Sequence, residues 1–211
     1  MLLCYVLASM ARKPVRLALI VTTICLSGSA LFASAALSDT MIRTATLRWR
    51  AEYGYAHIIV RPTLASPSRY ISQLRAEAYA DAFAYTVAKL SCGAEISGED
   101  FALHGYTLDT LLMMQDIPFL EQANLFPFEG GKIILSAAYA RPRGITPGDA
   151  LTVDIRGRHQ FVVAALCPRV GPFASEDGAF AAIVPLGKMQ SCLGKLGKAD
   201  ALYIGLRDPS A

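Results

Sequence analysis

The sequence LALIVTTICLSGSALFASAAL, residues 17–37, contains no charged side chain. At ~1.5 Å of rise per residue a helix of this length is roughly 30 Å long, which matches the hydrocarbon core of a bilayer. In water the helix would expose apolar side chains on every face, whereas in lipid it satisfies its own backbone groups. The sequence therefore predicts one transmembrane helix at about residues 15–37.

The charges around this segment predict its orientation. Arg12, Lys13 and Arg16 precede it, and cationic residues flanking a span are retained on the cytoplasmic side. We therefore expect a single-pass protein of a bacterial cytoplasmic (inner) membrane, with its N-terminus cytoplasmic and the remainder extracytoplasmic. The helix is expected to continue past the membrane and to end at Gly54. Residues 1–10 are too short to span and are expected to form an amphipathic helix on the inner face.

A cleaved signal peptide is the alternative. A basic start, an apolar run and Ala33-Ser34-Ala35 as a small-x-small cleavage site fit that template. The apolar run is longer than the ~7–15 residues usual in a signal peptide, which favours a retained anchor. Cleavage would instead leave a mature chain that begins near Ala36.

Composition argues against a nucleic-acid partner. The net charge is +3, and once the three cations before the span are set aside, the remaining Lys and Arg residues balance the 17 acidic ones. No basic cluster is present, although nonspecific binding to nucleic acid depends on one. The cysteines contain no CxxC pair, and they are Cys4, Cys25, Cys92, Cys167 and Cys192. The last three are expected outside the membrane, where at most one internal disulfide can form, and the sequence does not say which pair closes.

The remainder reads as short strands with a few short helices. Alternation of apolar and polar residues, punctuated by Gly and Pro, predicts an α+β domain in two small lobes after the N-terminal helix. The predicted strands are residues 57–60, 82–90, 101–107, 132–135, 151–155, 160–166, 179–184 and 201–206. The predicted helices are 67–75, 136–141, where Ser136 is the expected cap, and 186–193. Residues 108–114 form a Met-rich cluster that is expected to fill the core, and residues 118–131 are expected to be a loop.

The order of these features resembles a known family. The residues concerned are Ile133-Ile134-Leu135-Ser136, Ala140, Gly144, Gly148-Asp149, Leu151, Val153, Gly157, Phe161 and Val163, followed by Val184-Pro185-Leu186, Gln190, Gly194, Gly197 and Asp208. Together with the membrane entry they resemble the periplasmic core domain of MacB/FtsX-like ABC-transporter permeases. The sequence departs from that pattern at Ala165, where the family usually has Gly, and at Gly131-Lys132, where an acidic residue is common.

The resemblance implies a division of the chain and a set of partners. It implies a cytoplasmic segment with the transmembrane helix in residues 1–45 and a MacB-like periplasmic core domain in residues 46–211. It further implies a cytoplasmic ABC ATPase subunit, membrane lipid, and a homo- or hetero-dimer with another permease chain. Family permeases carry three further membrane helices after this domain, so a sequence that ends at Ala211 is expected to be a truncated or split permease or a lone anchored domain. A secreted or anchored binding module without transport activity is the alternative.

No constellation of residues predicts catalysis. His57, His104 and His159 are far apart in sequence and are expected to be surface or hydrogen-bonded strand residues rather than metal ligands. Residues 194–198 lack a phosphate-loop frame and are expected to be a polar turn. Glu95, Glu99 and Asp100 are expected to lie in a solvated loop. The sequence therefore predicts a protein that is not an enzyme, with no catalytic, cofactor-binding or metal site.

Overall fold

The chain divides into two units. The computed structural model describes residues 14–63, 68–73, 78, 80–173 and 180–207. The first unit ends at Arg48 and the second begins at Trp49. The amphipathic helix expected at residues 1–10 lies outside the described residues.

A helix of 40 residues, α1 (Pro14–Tyr53), contains the predicted membrane span. Its part from Pro14 to Leu47 is long and apolar enough to cross a bilayer, with a mean hydropathy of 1.9. Hydroxyl groups within it donate to carbonyl oxygens one turn earlier, as Thr22 does to Ala18 at 2.8 Å. This pairing satisfies the hydroxyls without water, so they do not oppose insertion into lipid.

The second unit combines one large sheet with short helices. Its helices are α2 (Leu108–Met114), α3 (Ala137–Ala140) and α4 (Leu186–Leu193). Its strands are β1 (Ile58–Val60), β2 (Ile71–Ser72), β3 (Tyr85–Ile96), β4 (Glu99–Tyr106), β5 (Glu121–Gln122), β6 (Lys132–Ser136), β7 (Ala150–Asp154), β8 (Arg158–Cys167), β9 (Phe180–Pro185), β10 (Lys198–Ala199) and β11 (Ala201–Gly205). The mixed α/β domain after an apolar helix is confirmed.

The large sheet has the strand order β1-β11-β3-β4-β9-β6-β8-β5. β4 runs parallel to β9 and β6 runs parallel to β8, and the other neighbours along this order are antiparallel. β7 pairs with both β8 and the end of β3, so six strands form a closed circuit. β3 is the longest described strand and belongs to this circuit and to the β11 side of the sheet.

Apolar residues cover both faces of the sheet. In β9, Ala182 and Val184 join one hydrophobic cluster, whereas Ile183 between them joins the other. The first cluster includes residues of α3 and α4, and the second includes residues of α2. Because successive strand residues point to opposite faces, β6 and β9, which are covered on both faces, are apolar at nearly every position.

Several local predictions are wrong. The loop expected at residues 118–131 contains β5. Ile71 and Ser72 form β2, which pairs with β10, instead of belonging to a helix over 67–75; residues 67 and 74–75 lie outside the described part. The acidic residues expected in a loop lie on a hairpin, because Glu95 pairs with Asp100 across a turn at Ser97 and Gly98. Positive φ values at both turn residues suit a tight two-residue hairpin. Ser136 does precede α3, but its hydroxyl makes no capping hydrogen bond.

Candidate functional site at the end of the long helix

Helix α1 ends in a turn that is held by the rest of its unit. Gly54 has a φ of +58°, and its N–H donates to the Arg50 carbonyl at 2.9 Å. Glycine after the last helical residue adopts this left-handed conformation at little cost, so it stops the helix there. The predicted end of the helix at Gly54 is thus confirmed.

The chain leaving α1 bonds directly to the end of α2. The Tyr55 N–H donates to the Met114 carbonyl at 2.9 Å. A side-chain carbon on Gly54 would overlap the same carbonyl oxygen, so the approach of Gly54 to Met114 requires glycine. Met114 is buried, and it belongs to the second hydrophobic cluster. The end of α1 is therefore fixed to a core element and not to a loop.

Aromatic rings connect the last turn of α1 to the sheet. The Trp49 and Tyr53 ring centroids lie 4.6 Å apart, and those of Tyr53 and Tyr203 lie 6.1 Å apart. Tyr203 is in β11 and is 2% exposed. The Arg61 guanidinium lies 5.7 Å from the Tyr53 ring centroid and donates to the Tyr53 hydroxyl at 3.4 Å. This hydrogen bond is the largest cause of a raised Arg61 pKa, while burial raises the pKa of Tyr203.

Backbone pairing continues the connection into the sheet. The His57 N–H donates to the Ile204 carbonyl at 2.9 Å, and His57 Nδ1 accepts from the Leu206 N–H at 3.2 Å. β1 then pairs with β11, and β11 pairs with β3. We call residues 49–61 with Met114 and Tyr203 the helix junction. Its geometry offers a mechanical connection from the last turn of α1 to the longest strand of the sheet.

A polar cluster lies where β3, β4 and β11 meet. His104 Nδ1 is 3.1 Å from Ser91 Oγ, and the Asp200 carboxylate accepts the Ser91 N–H at 2.6 Å. Burial, and then the charge of Lys89, lowers the pKa of His104 to about 3, so the ring is neutral at pH 7 and shares a hydrogen bond with the Ser91 hydroxyl. Burial raises the pKa of Asp200. The carboxylate bonds a backbone N–H and not the imidazole, so the arrangement orders strands and does not reproduce a Ser-His-Asp triad.

The histidines are placed apart. His104 lies in β4, His159 pairs with Val153 across the β7–β8 hairpin, and His57 bonds the backbone at the helix junction. Over the described part of the chain, no group of three or more His, Cys, Asp or Glu side chains is arranged to hold a metal ion. Residues 194–197 form the polar turn that ends α4, with Gly194 at φ +64°, and Lys198 begins β10.

Two clefts lie on either side of Glu129, in the segment 118–131 that the sequence predicts as a loop. One has a volume of about 440 Å³ and lies between Asp109, Lys188 and the segment 127–130. The other, of about 460 Å³, is lined by Asn124, Lys132 and Gln160 among others. Glu129 lines both clefts. Lys132 fixes this segment, because its ammonium group donates to the Asn124 and Pro127 carbonyls at 2.6 and 2.7 Å.

Comparison with solved structures identifies domains of similar fold. No protein-family model and no curated protein sequence matches the chain. Among solved structures, the extracellular domain of the noncanonic ABC-type transporter YknZ from Gram-positive bacteria matches with a TM-score of 0.52 and 13% identity, covering 72% of this chain and 83% of that one. The periplasmic region of MacB from Actinobacillus actinomycetemcomitans gives 0.49 and 11%, over 72% and 74%. A domain of a putative permease protein from Porphyromonas gingivalis gives 0.46 and 11%, over 68% and 66%.

The fold is therefore that of an extracellular domain of an ABC-type transporter. The YknZ match supports this statement, and at 13% identity it concerns the fold alone. The resemblance predicted from residues 133–163 is confirmed at this level. Before this fold, the same chain contains a helix that is long and apolar enough to cross a membrane.

Proposed function

We propose that this chain is a membrane permease component of an ABC transporter complex, energised by a separate cytoplasmic ATPase. The observation that carries the proposal is the fold shared with the YknZ extracellular domain. Residues 1–45 would hold the cytoplasmic segment and membrane span, and residues 46–211 the extracytoplasmic core domain. The N-terminus would be cytoplasmic, and the membrane a bacterial inner membrane.

The helix junction is the segment through which movement of α1 would reach the outer domain. Movement of a membrane helix reaches an outer domain through the segment of chain that joins them. Here a hydrogen bond to Met114, the Tyr53–Tyr203 contact and the β1–β11 pairing fasten the chain within a few residues after α1. The expected result of an ATPase-driven shift in α1 is displacement of β11 and β3. The outer domain would engage cargo or a periplasmic partner, and a second permease chain would complete the dimer.

Co-purification tests the transporter role. Full-length tagged protein, extracted from its native membrane in mild detergent, is expected to bring down an ATPase with a Walker motif. The matched control keeps residues 15–211 and replaces residues 1–14 by an unrelated segment of the same net charge. That variant stays anchored but is expected to lose the ATPase, because a cytoplasmic ATPase meets the residues on the inner side of the membrane. Recovery of no ATPase with the natural N-terminal segment would contradict the proposal.

Protease access tests the orientation. Protease added to intact spheroplasts is expected to digest the domain after residue 48, while a tag placed before Met1 stays protected. A protected domain, or a protein found in the soluble fraction, would contradict the proposed topology.

A secreted or anchored binding module is the second candidate. The two clefts that share Glu129 support it, because they offer concave surfaces of the kind that hold ligands. N-terminal sequencing of the mature protein separates the two. A start near Ala36 supports the module and removes the anchor, whereas an intact N-terminus supports the permease component.

A further inference from the structure

The sheet separates the cysteines of the second unit. Cys167 in β8 is fully buried in the second hydrophobic cluster. Cys92 in β3 and Cys192 in α4 both pack, partly exposed, against the first cluster on the opposite face. Since a layer of backbone lies between the two faces, Cys167 cannot reach either of the other two without unfolding.

The path of α4 brings Cys192 toward Cys92. Met189 lies against Gly105 in β4, close enough that a side-chain carbon on Gly105 would be 3.0 Å from Met189 Cβ. Gly105 pairs with Leu90, which precedes Cys92 by two residues on the same face. α4 follows β9 without a loop and packs back on the sheet, so it runs antiparallel to β9. Since β9 is parallel to β4 and β4 is antiparallel to β3, α4 runs parallel to β3. One turn after Met189, Cys192 is therefore at the level of Cys92.

Electrostatics agree with this placement. The pKa of the Cys92 thiol is raised to about 11, first by burial, while Arg156 lowers it and charge on Cys192 and Asp200 raises it further. The thiol is therefore protonated at neutral pH and is a slow nucleophile there. A bridge would form slowly without a catalyst and faster as pH rises.

We propose that Cys92 and Cys192 form an intramolecular disulfide that braces α4 against β3. Its formation in the cell rests on the proposed extracytoplasmic location, where disulfides persist. The oxidant is a small or protein-borne disulfide. One cysteine thiolate attacks the oxidant's disulfide, forms a mixed disulfide and releases half of the oxidant as a thiol. The second cysteine then attacks the mixed disulfide at the first cysteine's sulfur and releases the other half of the oxidant as a thiol. The cysteines lose two protons and two electrons in total, and the oxidant is reduced to two thiols.

The test uses the purified full chain in detergent, with Cys4→Ser and Cys25→Ser to leave only the domain cysteines. The protein is treated with oxidised glutathione at mildly alkaline pH, blocked with N-ethylmaleimide and digested without reduction. Mass spectrometry is expected to find one linked peptide pair that contains Cys92 and Cys192, and an intact mass lower by two hydrogens. The linked pair is expected to vanish on reduction.

Variants make the assignment specific. Cys167→Ser is expected to keep the linked pair, and Cys192→Ser to lose it and leave Cys92 as a thiol or a glutathione adduct. Oxidation is also expected to raise the denaturation midpoint of the double-Ser protein but not of its Cys192→Ser derivative. A bridge that contains Cys167, or glutathione or maleimide on both Cys92 and Cys192, would overturn the proposal. Because the purified protein is used, this result is independent of the protease-access experiment that tests the location.

Discussion

The carbonyl oxygen of Met114 occupies the space that a side-chain carbon on Gly54 would need. The same oxygen accepts the Tyr55 N–H, so the end of α1 and the end of α2 are held at one point. This contact and the φ of +58° at Gly54 are two independent reasons why residue 54 is glycine. Substitutions can measure the cost of each.

Gly54→Ala is expected to destabilise the second unit more than Gly194→Ala does. Gly194 has a similar φ of +64° with nothing within 4 Å of the added carbon, so its substitution should cost only the left-handed strain of about 1–2 kcal/mol. At Gly54 the overlap with Met114 adds to that strain, by about 1–3 kcal/mol. Denaturant unfolding of the full chain in detergent measures the difference. Equal losses in the two variants would mean that the Met114 contact relaxes freely.

The only tryptophan of the protein reports on the helix junction. Trp49 lies 4.6 Å from Tyr53, centroid to centroid. Tyr53→Ala removes this ring and its contact with Tyr203, so Trp49 fluorescence is expected to be quenched more readily by acrylamide. Tyr55→Ala is the matched control, because the Tyr55 side chain is 60% exposed. If both variants quench alike, the stacked rings do not order the end of α1.

Gly105→Ala is expected to push α4 away from β4. The new carbon would lie 2.7 Å from Met189 Sδ, and overpacking of a core contact typically costs about 1–3 kcal/mol. The substitution should cost less in a Met189→Ala background, where the sulfur is gone. Gly93→Ala on β3 meets nothing within 4 Å and serves as the control. An equal cost of Gly105→Ala in both backgrounds would contradict close packing of α4 on β4.

His104 is expected to make folding sensitive to acid. Its pKa is about 3 in the folded chain against 6.5 as the ordinary value, so between these pH values the unfolded state binds a proton that the folded state does not. The free energy of unfolding should therefore fall as pH falls below 6.5, by about 1.4 kcal/mol per pH unit from this group. His104→Gln should remove that part of the slope, whatever its effect at pH 8. A slope that is unchanged in the variant would assign the sensitivity to other groups.

Ser136 and Asp149 are expected to respond differently to alanine. The Ser136 hydroxyl is buried and makes no hydrogen bond, so Ser136→Ala should leave stability unchanged or raise it. The Asp149 carboxylate accepts from the Thr146 N–H and hydroxyl at 2.7 and 3.0 Å, so Asp149→Ala should cost about 1–2 kcal/mol. Thermal unfolding of both variants compares them directly. A loss at Ser136 as large as at Asp149 would restore its predicted role as a helix cap.

Most elements of the second unit were predictable because their signals are local. The strands at 101–107, 151–155 and 160–166 and the helix at 186–193 follow from alternation and from turn residues next to them in sequence. The pattern of residues 67–75 predicts a helix wrongly, because Ile71 and Ser72 pair with residues more than a hundred positions later. The charges at Glu95 and Asp100 predict a loop wrongly, because charged residues on an exposed hairpin resemble one.

The helix junction was predictable only in part. Gly54 was an evident end for α1, yet nothing in the sequence linked it to Met114 or joined Tyr53 to Tyr203. The proposed disulfide was not predictable either, since the sequence left the choice among Cys92, Cys167 and Cys192 open.

By itself, the sequence determined the long apolar helix, its end at Gly54 and the succession of strands and short helices along the chain that defines the fold class. These features depend on residues that are close together in sequence. Their hydrophobicity and backbone conformational freedom determine the local structure. Only the tertiary structure decided which cysteines share a face, why His104 stays neutral and what the end of α1 touches. Those properties depend on burial and pairing between distant residues, and such contacts exist only once the whole sheet has formed.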